Sequence, residues 1–329
     1  MMLLPLAAAS IFGLALLLGG MKVTETALRV WAGERLAAVL AGTTSTPLRG
    51  FVAGTVSSGL LQSGTAVTLL TISLVNAGLL PLANSFGILL GTNVGTTLTT
   101  ELIGLRLHRY GLPLLLASFA VWTWTLLALE AGALPRLPRR AADAMRYGSA
   151  ALAGFALMLI GFASLQTIGP VLQQNGTFAA WMAQTETRPM HALLGGAVLT
   201  ALVHSSSAVI GMAMGLADTG TLPVSTGIAV VLGANIGTCF TGLLASLGGG
   251  KGGRFVALSQ IALNVCGAAL FYPLRDGLLA ASSAISPGHP AAQIAHAQTL
   301  FNVACSLLAL PIAYVRIRSF GRPRTGRTP

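Results

Sequence analysis

The sequence predicts an all-α integral membrane protein with two inverted repeats. Each repeat holds a re-entrant helical hairpin and a discontinuous transmembrane helix, and the chain makes about seven full crossings. Three observations lead there. Hydrophobic residues make up 54% of the chain and charged residues only 8%, against about a quarter charged in ordinary globular proteins. Charge-free stretches such as Met1–Met21 and Gly148–Thr185 exceed the roughly 20 apolar residues that one helical crossing needs. The sequence also aligns to itself, Ser63 falling on Ser205 and Thr99 on Thr241 at a constant offset.

In order along the chain, residues 1–46 read as a crossing at 2–20 followed by an amphipathic, charged interfacial helix at 24–40. The first apolar run has no basic residue before it, and Lys22 follows it, so it reads as a retained helix and not a cleaved leader. Residues 47–130 form the first repeat: a hairpin at 47–82, then helices at 84–107 and 111–130. The stretch 47–82 is too long for one helix, too short for two spans with a loop, and broken centrally by polar residues. Non-helical backbone at such depth is tolerated only where protein or a water-filled cavity satisfies it. A basic loop (131–147) leads to a linking helix at 148–168 within 148–189. The second repeat, 190–274, has the hairpin 190–224 and helices 226–247 and 254–274. A loop and a last crossing at 296–315 fill 275–315, and a basic tail (316–329) ends the chain.

The net charge of +11 does not describe a nucleic-acid face, because the arginines sit in short loops and the tail. With each hairpin counted as no crossing, Lys22, Arg29, Arg35, Arg49, Arg136, Arg139, Arg140, Arg146, Lys251, Arg254 and the five arginines after 315 fall on one side. Only Arg106, Arg109, Arg188 and Arg275 fall on the other. The positive-inside rule then puts the C-terminus in the cytoplasm and the N-terminus outside. The cysteines Cys239, Cys266 and Cys305 lie in separate apolar segments and support neither a disulfide framework nor a zinc site.

The self-alignment pairs 54–99 with 196–241 without gaps. Its identities are small and polar: Ser63/Ser205, Ala66/Ala208, Gly78/Gly220, Pro81/Pro223, Gly91/Gly233, Asn93/Asn235, Gly95/Gly237 and Thr96/Thr238 among them. An odd number of crossings separates the copies, so they have opposite orientation. Inverted repeats with matching broken segments point to a secondary transporter with its site near the membrane midplane.

The chemistry of "QSGTA" (62–66) and "HSSSA" (204–208) fits that reading. The first N–H groups of a helix lack partners and carry partial positive charge. Ser and Thr cap such an end and add hydroxyl donors, so two tips facing each other make an anion cradle. "GTNVGTT" (91–97) and "GANIGTC" (233–239) add Asn and Thr oxygens, with glycines that would permit an unwound turn; such oxygens suit a hard cation such as sodium. No Arg or Lys lies near these motifs in sequence, so dipoles, hydroxyls and co-bound cations are expected to hold the anion. Glu101 and Asp218 are the interior carboxylates, Asp218 expected at a solvated surface, and His204 leaves a proton route open. Ser63 and His204 are not a nucleophile and base, since each has its own counterpart in the other copy and no G-x-S-x-G surrounds either serine. No catalytic residue and no enzyme activity are expected. Asn264 and Asn302 read as interhelical links more than as ligands, and His191, His289 and His296 as interfacial or packing residues.

These motifs resemble the type II sodium-dependent phosphate cotransporter family, in particular its bacterial branch. The family is marked by a duplicated "QSSS" motif, each copy followed by "GxNxGT"; here the pairs read "QSGTA … GTNVGT" and "HSSSA … GANIGT". The lead-in to the first hairpin, "SQIALNVCGAAL" (259–270) and "HAQTLFNVACSLLALP" (296–311) also resemble it. The resemblance implies sodium-coupled transport of inorganic phosphate. It implies substrate contacts at Gln62, Ser63, Thr65, His204, Ser205, Ser206 and Ser207, and sodium contacts at Asn93, Thr96, Asn235 and Thr238. It implies no cofactor beyond sodium as coupling ion, and as partners phosphate, sodium and the lipid bilayer of a bacterial cell, with a homodimer as a candidate assembly. Gly64 and Thr65 stand where the family has serines, and His204 where it has glutamine. The alternatives are a carrier of another small anion, a phosphate exporter, or a non-transporting membrane sensor or scaffold.

Overall fold

A chain this apolar has to satisfy its backbone within each segment, which a helix does. The computed structural model describes residues 3–42, 46–130, 138–167, 169–173, 184–185, 188–247 and 250–320, and among them no strand occurs. The helices are α1 (Leu3–Gly42), α2 (Pro47–Leu61), α3 (Gly64–Asn76), α4 (Leu82–Gly95), α5 (Thr97–Gly104), α6 (Gly111–Glu130), α7 (Arg139–Gln166) and α8 (Gly169–Gln173). After them come α9 (Pro189–Val203), α10 (Ser206–Asp218), α11 (Val224–Gly237), α12 (Cys239–Leu247), α13 (Lys251–Phe271), α14 (Arg275–Ile285) and α15 (Pro290–Phe320). The arginines at 136, 322, 324 and 327 lie outside the described residues.

The protein is an all-α, multi-pass membrane protein. Six of its described segments are long and apolar enough to cross a bilayer, where the sequence leads one to expect about seven. The seventh, α4–α5, is not among them because its asparagines, threonines and Glu101 dilute its apolar content. The crossing expected at 2–20 and the interfacial helix expected at 24–40 are one continuous helix of 40 residues, α1. No proline interrupts it after the first turn, and its middle is held against α7. Gly20 meets the backbone of Gly154, Gly13 that of Gly161, and Thr24 Oγ1 donates to the carbonyls of Gly20 (3.0 Å) and Ala151 (3.1 Å).

These contacts make α1 and α7 antiparallel and set a depth scale. Gln166 is level with the first turns of α1, about 21 residues before Arg29. At 1.5 Å per residue the two ends are about 30 Å apart, the thickness of a hydrocarbon core.

Both hairpins have the same construction. Each joins a 15-residue helix (α2, α9) to a 13-residue helix (α3, α10), roughly 23 and 20 Å long, so neither arm spans the core alone. Gly78 and Gly220 turn the chain at φ 71° and 69°, and Pro81 and Pro223 open the next helix.

The glycines of the two "GxNxGT" elements act through space. They do not unwind the helix: Thr96 and Thr238, at the breaks, remain in the right-handed helical region. Instead Gly91 lets α4 rest on the Phe51 carbonyl of α2, and Gly233 lets α11 rest on the Leu193 carbonyl of α9, the close approach that small residues allow between membrane helices. Matching hydroxyl bonds mark the two breaks. Thr96 Oγ1 donates to the Asn93 carbonyl (2.8 Å) and Thr238 Oγ1 to that of Asn235 (2.7 Å), while their N–H groups keep the ladder bonds to Thr92 and Ala234.

The copies exchange partners: α3 packs on α12, and α10 on α5. At the Gln166 end, Asp218 accepts from Arg106 (2.6 Å) and Gln166 (2.9 Å). The Asp218 side chain, 10% exposed under an Arg106 that stays 42% exposed, is thus held by partners where a solvated role is expected of it. His296, expected to be a packing residue, pairs with Glu101 at 2.9 Å and ties α15 to α5.

Candidate substrate site

Each hairpin tip is a two-residue device. Gln62 ends α2 in the left-handed region (φ 54°, ψ 27°), and His204 ends α9 in nearly the same conformation (φ 57°, ψ 24°). Non-glycine residues rarely sit there, and such backbone gathers at functional sites. The next residue caps the following helix. Ser63 Oγ accepts from the Ala66 N–H (3.2 Å) and Ser205 Oγ from the Ala208 N–H (3.3 Å). The side chains that hold the tips also match. Thr99 Oγ1 donates to Gln62 Oε1 (3.0 Å), and Thr241 Oγ1 lies 3.0 Å from His204 Nδ1. His204 thus occupies the structural place of a glutamine, and its bonded ring nitrogen faces a threonine and not Ser63.

Between the tips lies a cavity of about 460 Å³. All eleven residues singled out in the sequence line it: Gln62, Ser63, Thr65, His204, Ser205, Ser206 and Ser207 from the tips, and Asn93, Thr96, Asn235 and Thr238 from the broken helices. Ser205 Oγ approaches Met21 Sδ at 3.7 Å. On the depth scale above, this contact lies about 12 Å from Arg29 and about 20 Å from Gln166, well inside the membrane. The hydroxyls of Thr65, Ser206 and Ser207 face this space without a hydrogen bond to another described residue, so they are open to a ligand.

The Asn and Thr positions are more engaged. Asn93 donates to Asn264 Oδ1 (2.8 Å) and accepts from Gln260 Nε2 (2.7 Å). Asn264 in turn donates to the Asn235 carbonyl (2.7 Å) and to Thr238 Oγ1 (3.2 Å). One α13 side chain therefore joins the two motifs. Gln260, 6% exposed, also reaches the cavity wall, and its buried Oε1 has no partner.

A family model described as Na+/Pi-cotransporter matches residues 16–167 and 171–284, spanning both tips, both broken helices and α13. The chain belongs to the Na+/Pi-cotransporter family. The uncharacterized protein YqeW of Bacillus subtilis is 32% identical over 295 residues, covering 90% of this chain and 91% of its own. The "Putative inorganic phosphate export protein YjbB" of Escherichia coli is 27% identical over 260 residues, as is its Salmonella typhimurium namesake. Each alignment covers 79% of this chain but only 45% of the export protein. No solved structure matches the chain.

In this family member the site holds two things that the motifs do not announce. Gln260 lies outside the repeated segments, and only the polar residues in its helix hint at it. The second is charge. The sequence suggests that no Arg or Lys lies near the motifs, but Lys22 and Arg29 line the same cavity, with Glu25 between them. Sequence distance hid them: α1 begins the chain, yet its middle packs beside α3 and α10. Asn264 is a link, as read from sequence, whereas Asn302 Nδ2 is buried without a partner.

Proposed function

We propose that this chain is a secondary active transporter that carries inorganic phosphate across a bacterial plasma membrane, coupled to sodium, by alternating access. The observation that carries the reading is the single cavity into which both hairpin tips and both Asn–Thr motifs open. The tips offer two helix N-termini, the tip serines and the unbonded Thr65 and Ser207 hydroxyls; charge-assisted bonds from such donors suit a tetrahedral oxyanion. Its volume falls in the range of small-ligand pockets, leaving room for ions and water beside the anion. Gln260 Oε1, a buried acceptor without a partner, fits a hard cation, and with Asn93, Thr96, Asn235 and Thr238 it is the sodium set proposed here. The copies are read as inverted, the N-terminus outside and the C-terminus cytoplasmic, and the bundle carrying the hairpins rocks against the rest.

Energetics bounds the direction. Importing an anion of nearly two charges against an inside-negative potential costs about 4–5 kcal/mol per 100 mV, so uptake needs at least two coupled cations. Export needs none. The name of the Escherichia coli relative favours export as the second reading.

Purified protein in proteoliposomes, loaded with phosphate and given labelled phosphate outside, tests both. Saturable flux that follows an imposed sodium gradient, and that Ser63→Ala or Ser205→Ala reduces, is expected. Flux indifferent to replacing sodium with potassium removes the coupling and leaves the exporter; phosphate binding without flux makes the protein a sensor.

A further inference from the structure

The three charged residues of α1 at the cavity, Lys22, Glu25 and Arg29, share one helix face with Leu18 and Met21, at spacings of three and four residues. They are the only Asp, Glu, Lys or Arg side chains among the described residues that line it. The face has a polarity. At its deep end Met21 touches Ser205 of the second tip, and Lys22 is the next residue. Arg29 stands about 12 Å further along α1, at the level the depth scale gives for the edge of the hydrocarbon core. The two cations are free to move and the carboxylate between them is not: the Lys22 and Arg29 side chains are 68% and 52% exposed, that of Glu25 only 17%. One oxygen, Glu25 Oε1, takes both cations, Arg29 at 2.7 Å and Lys22 at 3.5 Å. The positions 142 residues on, Ser164, Thr167 and Val171, carry no charge, so the stripe occurs once and does not belong to the duplicated cradle.

From this arrangement we infer that Lys22 and Arg29 are specificity-determining contacts for the oxyanion on its way between the mouth and the tips, and that Glu25 is their built-in competitor. The inference rests on the phosphate reading above. With no anion bound, the Glu25 carboxylate pairs with both cations and holds them on the wall, leaving the stripe a net charge of +1. An arriving phosphate offers more negative charge and more acceptor oxygens than one carboxylate, so it takes over the Arg29 guanidinium and the Lys22 ammonium. A monovalent anion such as chloride, with a single charge and no oxygens, displaces Glu25 poorly. Charges in a cleft with low-dielectric walls focus their field on the entering ion, and because they are solvent-exposed, salt screens them.

The experiment is labelled-phosphate exchange in proteoliposomes holding the full chain, with equal sodium on both sides and phosphate concentration varied at low and high added potassium gluconate. Arg29→Gln and Lys22→Gln each raise the half-saturating phosphate about two- to fivefold, the range of exposed charge contacts, and leave maximal exchange within about twofold. Arg29→Lys restores most of the affinity. Glu25→Gln moves the other way, lowering the half-saturating concentration by a similar factor and weakening the preference for phosphate over chloride. High salt raises the wild-type value and narrows its gap to Arg29→Gln. If Glu25→Gln weakens phosphate as Arg29→Gln does, the stripe is a structural ion pair and the competitor role is wrong. Unchanged saturation in Arg29→Gln and Lys22→Gln overturns the inference alone. A wild-type protein that exchanges no phosphate overturns the phosphate reading, and this inference with it.

Discussion

Restoring a serine at position 64 would make the two tips more alike in sequence, and the structure predicts that it damages the protein. Gly64 is buried in the first turn of α3. A Cβ there would run into the Thr96 methyl, while its other near neighbours, the Thr92 carbonyl and Ser58 Oγ, stand at ordinary distances of 3.5 and 3.6 Å. Thr96 cannot simply turn away. Its χ1 is stiff, and rotating the methyl would break the Oγ1 bond to the Asn93 carbonyl. Overpacking of this kind costs about 1–3 kcal/mol, offset by about 0.5 kcal/mol because serine is the better helix former. Gly64→Ser therefore destabilises by about 0.5–2.5 kcal/mol. Thr96→Ser deletes the obstructing methyl and keeps the hydroxyl, at about 0.8 kcal/mol for the lost buried carbon. In the double variant the clash is gone, so the two changes couple favourably by the clash cost, about 1–3 kcal/mol. Thermal unfolding of the detergent-purified protein, followed by fluorescence-detected size exclusion, measures the cycle, and phosphate exchange reports whether the repaired tip works. Wild-type stability in Gly64→Ser, or an equal penalty with and without the Thr96 methyl, would refute the reasoning.

Two further outcomes are expected. Asn264→Ala leaves the Asn93 amide without its acceptor and costs about 1–3 kcal/mol for the buried group, more than Asn302→Ala, whose amide already lacks a partner; the same unfolding assay ranks them, and exchange in Asn264→Ala should also need more sodium. Gly91→Ala and Gly233→Ala each force backbone against backbone, where no side chain can yield, so both should lose nearly all folded protein on size exclusion, while Ala at the open Gly195 should be harmless.

Much of this fold is legible in sequence because a membrane makes polarity informative. A glutamine, serine and threonine inside an apolar run have to be satisfied somewhere, and the hairpin tips at Gln62–Ser63 and His204–Ser205 are where that happens. The same logic misreads α1. Lys22, Glu25 and Arg29 interrupt the apolar run, and charge in a membrane segment reads as the membrane surface, hence a crossing and a separate interfacial helix. The helix in fact continues, because those charges meet a water-accessible cavity and one another. Whether a charge faces water at the surface or water in a cavity is a tertiary fact that periodicity does not carry.

The site divides along the same line. Comparing a duplicated sequence with itself reports what both copies keep, and both copies keep the tip geometry: the left-handed cap, the capping serine, the threonine behind it. A cradle built twice and facing itself has no preferred side. Direction, and the choice among anions that two hydroxyl-lined tips would hold similarly, have to come from residues present once. Gln260 and Asn264 on α13 and the α1 charges are such residues, and each touches or lines the shared cavity. Self-comparison is blind to them for the reason that makes them useful: they have no counterpart. Substitutions in the repeated motifs should therefore remove transport of every anion alike, whereas changes at Lys22, Glu25 and Arg29 should alter which anion is carried while the cradle still works.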